Sequence, residues 1–255
     1  MENCCIIGYG VVGKATAKGF GITKYIDLTG STISLEDVAK CRFIFLCLPT
    51  PTVDGKCDVG VIKKYIVDLR HQGFNGVFVI RSTVIPGTAR AIMAETGATI
   101  VSNPEFLTEA TWEIEAEHPG IIVLGADDTK PLQDVRALYE GRWRGVQVFQ
   151  ADTVTAETIK YALNTFFATK VVFANQVYDF CQTTGANYET VKSVLEFHPW
   201  GSKNHFTIWH KKGRGAGGKC LSKDLAAFAT ASNSELIKEV QRINEKLLID
   251  FPKHD

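Results

Sequence analysis

The chain carries no surplus of charge: Lys and Arg total 28, and so do Asp and Glu, in 255 residues. A balanced chain has no field to draw it to nucleic acid or to an anionic bilayer, so neither is expected as a partner. Long apolar runs are also missing. The longest, Phe166 to Val177, is interrupted by Lys170 and is too short to span a membrane. There is no internal repeat and no low-complexity stretch. The seven cysteines are odd in number and lack the spacing of a disulfide framework, and Cys4, Cys5 and Cys47 fall on apparent strands. A reducing, cytoplasmic compartment is therefore expected. The first apparent strand begins almost at Met1, so no signal peptide is expected. His198, His205 and His210 cluster, but no Cys or carboxylate follows at ligand spacing, and no metal is expected.

What the chain does have is alternation. Short apolar runs at Cys4–Ile7, Tyr25–Leu28, Phe43–Leu48, Val77–Ile80, Thr99–Val101, Gly120–Leu124 and Val146–Phe149 read as strands. Helical patterns lie between several of them, at Val11–Phe20, Leu35–Ala39, Val59–His71, Thr88–Glu95 and Pro131–Tyr139. Alternation of this kind predicts a parallel sheet covered on both faces. After Ala151 the texture changes. Thr153 to about Thr183 holds neither glycine nor proline and reads as one long helix ended by Gly185. Helices follow at Asn187–Leu195, Asp224–Ala231 and Ser234–Ile249, with a loop from Phe197 to Lys219. The expected organisation is an α/β fold: a Rossmann-type parallel-sheet domain over residues 1–150, then an all-helical domain over residues 151–255.

Six segments point to chemistry. The first is Gly8-Tyr9-Gly10-Val11-Val12-Gly13, which follows a strand and opens a helix, with Asp27 nineteen residues after Gly8. This is the dinucleotide fingerprint. Gly8 permits the turn, Gly10 lets backbone approach a pyrophosphate, and Gly13 lets the helix pack on the strand. Asp27 is expected on the ribose hydroxyls, favouring NAD over NADP. Leu48-Pro49-Thr50-Pro51 and Arg81-Ser82-Thr83-Val84 end two strands at the edge where open α/β sheets bind ligands, although each could be a plain turn. Ser102-Asn103-Pro104-Glu105-Phe106-Leu107-Thr108-Glu109 follows a fifth strand; its two acids could act as base and orienter, or be solvated. On the long helix, Glu157, Lys160 and Asn164 share one face, a pattern usually explained by a solvated stripe. Last comes Gly215-Ala216-Gly217-Gly218-Lys219-Cys220-Leu221-Ser222-Lys223-Asp224. Its glycines bring backbone close to something bulky, and a thiol beside Lys219 and Lys223, with a carboxylate one turn on, suits a nucleophile. A lone cysteine is as often a small buried hydrophobe.

In this order, the segments GYGVVG, LPTP, STVIPGT, SNPEFLTEA, AETIKYALNTF and GRGAGGKCLSKD resemble the UDP-glucose/GDP-mannose dehydrogenase family across nearly the whole chain. The resemblance implies oxidation of a nucleotide-sugar C6 alcohol to the carboxylate with two NAD per turnover, UDP-glucose being the first-choice substrate. Cys220 would attack the aldehyde and carry a thiohemiacetal, then a thioester. Lys160 and Asn164 would stabilise the oxyanion, an effect worth roughly 10²–10³ in rate per donor. Asp224 would handle the alcohol proton with Lys160, Thr83 would hold a water or the cofactor, and Glu105 would assist thioester hydrolysis. Tyr9, Val11, Val12, Pro49, Thr50, Glu109 and Lys223 would join the cofactor site. Phe106, Leu107, Gly215, Gly217 and Gly218 would line the sugar. A homodimer built on the long helix is implied as well.

The family pattern has a second Rossmann-like domain after the helix at Ser234–Ile249, a Phe where Ala216 stands and a Pro where Ser222 stands. The NAD site and reacting centre are expected here, with an incomplete grip on nucleotide. Trp200 to Lys219, with Lys203, His205, His210, Lys211, Lys212 and Arg214 among Trp200, Phe206 and Trp209, would either supply part of that grip or be a solvated loop. Two other readings stay open: a dehydrogenase of a smaller sugar or hydroxy acid, and a non-catalytic NAD-binding remnant.

Overall fold

The structure is a computed structural model that describes residues 3–53, 55–108, 110–201 and 203–253, apart from the side chain of Lys219. The chain divides into two compact units, one of Met1–Pro51 with Cys57–Lys160, the other of Thr52–Lys56 with Tyr161–Asp255.

In chain order the elements begin with β1 (Cys4–Ile7), α1 (Val11–Phe20), β2 (Tyr25–Ile26), α2 (Leu35–Val38) and β3 (Phe43–Leu46). A small hairpin follows, β4 (Thr52–Val53) and β5 (Lys56–Cys57). Then come α3 (Gly60–His71), β6 (Val77–Ile80), α4 (Thr88–Thr96), β7 (Thr99–Ser102), α5 (Trp112–Glu117), β8 (Ile121–Gly125), α6 (Thr129–Arg142) and β9 (Gln147–Ala151). The helical remainder is α7 (Thr153–Thr184), α8 (Tyr188–Phe197), α9 (Gly218–Ser232) and α10 (Glu235–Asp250).

The first unit is a seven-stranded sheet in the order β2-β1-β3-β6-β7-β8-β9. All pairings are parallel except β7 with β8, which meet antiparallel at Ser102 and Gly125. Period-two alternation sends the central strands to two separate cores. Cys5, Ile7, Ile44, Leu46, Phe78 and Ile80 join α3 and α4 on one face. Cys4, Ile6, Phe43, Phe45, Val77 and Val79 join α1 and α6 on the other. Both faces are covered, so the strands read as continuous apolar runs.

The helix α7 begins in the first unit, where Asp152 caps Thr155, its carboxylate accepting from the backbone N–H at 3.0 Å and from the hydroxyl at 2.6 Å, and continues into the second. It ends before Gly185, whose φ of 75° is the left-handed stop that the sequence predicts. Ala168, Val172, Ala216, Leu225 and Val240 form one helical core, and Ala174, Cys181, Tyr188, Phe206 and Ile208 a second.

Three features differ from the sequence expectation. The hairpin and α5 are additional. The last helix but one starts at Gly218, not Asp224, which moves Cys220 out of a loop and into a first helical turn. Gly217 and Gly218 look like breakers in sequence, but they stand at the N-cap and first helical position, where glycine is tolerated. The second strand also stops at Ile26, and Leu28 lies wholly exposed.

Candidate functional site

In the first unit, the loop from Gly8 to Gly13 closes tightly at two glycines. Gly8 has φ +93°, and a Cβ there would stand 2.5 Å from the Cys47 carbonyl oxygen. A Cβ at Gly13 would stand 2.0 Å from the Gly8 carbonyl oxygen. The space beside Gly10, by contrast, is open. Gly10 caps α1 without a side-chain acceptor, so the N–H groups of the first turn, from Val11 and Val12 on, keep their affinity for an anion. Asp27 sits at the end of β2 and reaches back to this loop. Its carboxylate accepts from Tyr9 N–H at 2.7 Å, Thr29 N–H at 3.0 Å and Thr29 hydroxyl at 2.8 Å. These donors, led by the Tyr9 N–H, hold its carboxyl below the usual range. The Tyr9 ring stacks on Tyr25 at 3.7 Å between centroids.

The ends of β3 and β6 are sewn together. Thr50 donates its hydroxyl to the Thr83 carbonyl at 2.7 Å, and Ser82 donates to the Leu48 carbonyl at 2.7 Å. Pro49, Thr50 and Thr83 thus share one edge of the sheet. Lys160, near the start of α7, donates to Glu105 Oε1 at 2.9 Å, and both side chains are at least nine-tenths buried. Glu105 Oε2 accepts from Leu107 N–H at 2.7 Å, and Phe106 presents its ring 5.6 Å from the Lys160 ammonium. Glu157, one turn earlier on α7, is buried too. Its carboxylate accepts from Gly87 N–H at 2.6 Å, Ala89 N–H at 3.0 Å and Ser102 hydroxyl at 3.2 Å, so it caps α4 from a distance. Burial pushes its carboxyl up to about 7 against the pull of those donors. Thr83, Ser102, Glu157 and Lys160 line one crevice of about 10 Å³.

The second unit carries its own cluster. Asn164 Nδ2 donates to Asp224 Oδ2 at 2.6 Å, and Lys223 Nζ donates to Asp224 Oδ1 at 2.6 Å. Asp224 is fully buried and Asn164 nearly so. Cys220 is the third residue of α9, exposed, one turn before Asp224. Among the described residues, the N-cap Gly217 offers no side chain to cap that helix start. Gly215, Gly217 and Ala216 press not on an open site but on the chain's last helix and tail. Ala216 N–H donates to Asn244 Oδ1 at 2.6 Å, and Asn244 Nδ2 returns a bond to the Ala216 carbonyl at 2.9 Å. A Cβ at Gly217 would meet Lys253 Nζ at 3.0 Å, while Gly218 faces open space.

The charged stripe of α7 is therefore buried, not solvated: Glu157, Lys160 and Asn164 all lie in the interior. The basic loop also behaves differently from either expectation. Phe206 and Ile208 are core residues. Arg214 is buried, donating to Asn175 Oδ1 at 2.8 Å and pairing with Asp179 at 2.7 Å, and its guanidinium lies 4.5 Å from the Phe251 ring centroid. It is a strut, not a phosphate ligand. Lys211 and Lys212 remain exposed. Glu109 and the side chain of Lys219 fall outside the described residues. Sequence reasoning missed Asn244 and Asn175, which carry no motif; an amide within an otherwise apolar helical face was the one available sign.

Comparison with known proteins now has a geometry to rest on. The NAD binding domain of the UDP-glucose/GDP-mannose dehydrogenase family matches residues 22–142, and the central domain of the same family matches residues 154–246. A UDP-glucose 6-dehydrogenase of Rickettsia typhi is 32% identical over 210 residues, covering 78% of this chain and 46% of the relative. A GDP-mannose 6-dehydrogenase of Pseudomonas savastanoi pv. phaseolicola is 27% identical over 223 residues, covering 81% and 50%. A solved UDP-glucose dehydrogenase from the hyperthermophilic archaeon Pyrobaculum islandicum superposes with a TM-score of 0.83 at 26% identity, covering 96% of this chain and 68% of that one. The chain spans about half the length of the curated relatives it matches. With both domain matches in sequence order on the fold and side-chain clusters described above, the chain belongs to the UDP-glucose/GDP-mannose dehydrogenase family.

Proposed function

We propose that this chain is an NAD-dependent nucleotide-sugar dehydrogenase that oxidises a C6 alcohol to the carboxylate through Cys220, with UDP-glucose as the first substrate to try. The observation that carries this reading is the placement of Cys220 in the uncapped first turn of α9, one turn ahead of the Asp224 carboxylate that binds Asn164 and Lys223. The residues at the glycine-rich loop fit NAD. The uncapped α1 N-terminus suits a pyrophosphate, the open side of Gly10 admits one, and Asp27 offers an acceptor that suits ribose hydroxyls and repels a 2′-phosphate.

Bound NAD supplies the hydride acceptor for each of two oxidations. The protein's part is to hold protons and stabilise charge. The Cys220 sulfur adds to the aldehyde carbon to give a thiohemiacetal, and the uncapped N–H groups of α9 favour negative charge at that end. Lys160 and Asn164 donate to the developing oxyanion. Their partners Glu105 and Asp224 orient them, since each donor is already fixed by a buried carboxylate. After the second oxidation a water attacks the thioester carbon, Glu105 takes its proton, and the thiol is regenerated with release of the acid. A homodimer accords with α7, where Phe166, Phe173 and Phe180 recur at heptad spacing and are 55%, 53% and 67% exposed.

The test mixes purified protein with NAD and a panel of UDP- and GDP-sugars and follows NADH absorbance, with Cys220→Ser alongside. Two NADH per sugar, lost in the Ser variant while NAD still binds, is the expected result. NAD binding without NADH from any nucleotide sugar would leave a remnant; turnover by the Ser variant at the parent rate would remove the covalent step.

A further inference from the structure

The first unit holds a cavity of about 450 Å³ that runs from Glu105, Phe106 and Leu107 to α1 and β8. Its walls are largely apolar, with Phe20, Phe106, Ile122 and Trp143 among them. Two acids border it, and both are already committed. Glu105 binds Lys160 and Leu107 N–H, and Glu115 accepts from Thr108 N–H at 2.6 Å and Thr111 hydroxyl at 2.9 Å. The permanent cation on its wall is Arg81. Its Nη1 donates to Asn103 Oδ1 and to Tyr139 Oη, each at 2.7 Å. Its Nε is buried and has no partner among the described residues. No described group accepts from Nη2, and no described carboxylate pairs with the guanidinium.

Nε and Nη2 form one edge of the planar fork, and that edge is the one left bare. A carboxylate fits it through two parallel charge-assisted bonds. A buried donor without an acceptor costs free energy that such a ligand would remove. Phosphate fits less well, because the surrounding wall offers apolar rings where a phosphate would need further donors. The volume lies within the range of small-molecule sites, which are mostly apolar with a few polar anchors. We propose that this cavity binds an aromatic monocarboxylate, its carboxylate on the Nε–Nη2 edge of Arg81 and its ring among Phe20, Phe106 and Trp143. The proposal does not depend on the oxidation chemistry, although Glu105, Phe106 and Leu107 are shared with the catalytic and sugar-lining residues that the family resemblance implies.

Calorimetric titration of the whole chain with 2-naphthoate and with its neutral amide, 2-naphthamide, tests it. Naphthoate should bind one per chain and at least about tenfold more tightly than the amide, as loss of one charge-assisted pair implies. Saturating NAD should leave that affinity unchanged. Arg81→Gln should bring naphthoate down to the amide's level. Should that variant fail to fold, Ala15→Leu decides, because it fills the cavity from α1 and leaves Arg81 in place; both compounds should then weaken at least about tenfold. No binding, equal binding of acid and amide, displacement by NAD, or indifference to Ala15→Leu would each overturn the proposal. NAD binding, read in the same experiment, keeps this outcome separate from that of the proposed function.

Discussion

The pair of Lys160 and Glu105 allows the sharpest test of the site's energetics. Their charged atoms are 2.9 Å apart, and the side chains are only 5% and 9% exposed. Removing one partner of such a pair leaves a lone charge out of water, at a cost of about 3–5 kcal/mol. Lys160→Met should therefore destabilise the first unit by that amount, because the Glu105 carboxylate would keep only the Leu107 N–H. Glu105→Gln is milder. Its carbonyl can still accept from Lys160, so the loss should be that of a charged hydrogen bond, about 1.5–3 kcal/mol. The double variant has neither charge to bury. It should recover much of the loss, and a double-mutant cycle should give a coupling of at least about 1.5 kcal/mol. Against a typical domain stability of about 5–15 kcal/mol, these effects are large enough to read by urea unfolding followed by circular dichroism. If each single variant costs less than about 1 kcal/mol, and the two costs add in the double, the pair behaves as a solvated contact. Burial would then not be what fixes the Lys160 ammonium.

Glu157 predicts a pH dependence. Its folded-state value of about 7 stands above the unfolded 4.5, so the fold prefers the protonated acid. That stabilisation is complete below about pH 4.5, declines as pH rises to about 7, and is absent above, a total of roughly 3 kcal/mol. Urea midpoints of the parent and of Glu157→Gln should diverge between pH 5 and pH 8, and parallel curves would contradict the burial argument. Asp27→Asn should erase most of the preference for NAD over NADP, measured by calorimetry with each cofactor; an unchanged ratio would place the ribose elsewhere.

Strand and helix periodicity made most of the fold legible, because the central strands are buried on both faces and carry unbroken runs such as Phe43–Leu46 and Val77–Ile80. Where elements are short, the signal fails. The hairpin strands have two residues each, and α5 is a six-residue segment, Trp-Glu-Ile-Glu-Ala-Glu, whose alternation of acid and apolar residues does not resemble a helix. The start of α9 was hidden by glycines that elsewhere end helices. The candidate site residues stand out in the sequence as motifs, but their pairings do not. Lys160 meets Glu105 across 55 positions, and Asn164 meets Asp224 across 60. No local pattern encodes such contacts. Arg214 misleads for the same reason: a basic residue in a glycine-rich loop looks solvated until Asn175, Asp179 and Phe251 are seen around it.

The polar face of α7 differs from an ordinary charged stripe in being buried. Charged residues at three- and four-residue spacing usually face water, where they need no partner. Glu157, Lys160 and Asn164 are buried, so each must be satisfied by the protein or leave the interior. Each one is satisfied by a different distant segment: the start of α4 for Glu157, Glu105 after β7 for Lys160, and Asp224 on α9 for Asn164. A fold gains little stability from such pairs over well-packed apolar residues of similar size. What they add is placement. Lys160 is held by Glu105 and Asn164 by Asp224, each by a buried carboxylate, which is the preorganisation that the proposed oxyanion role requires.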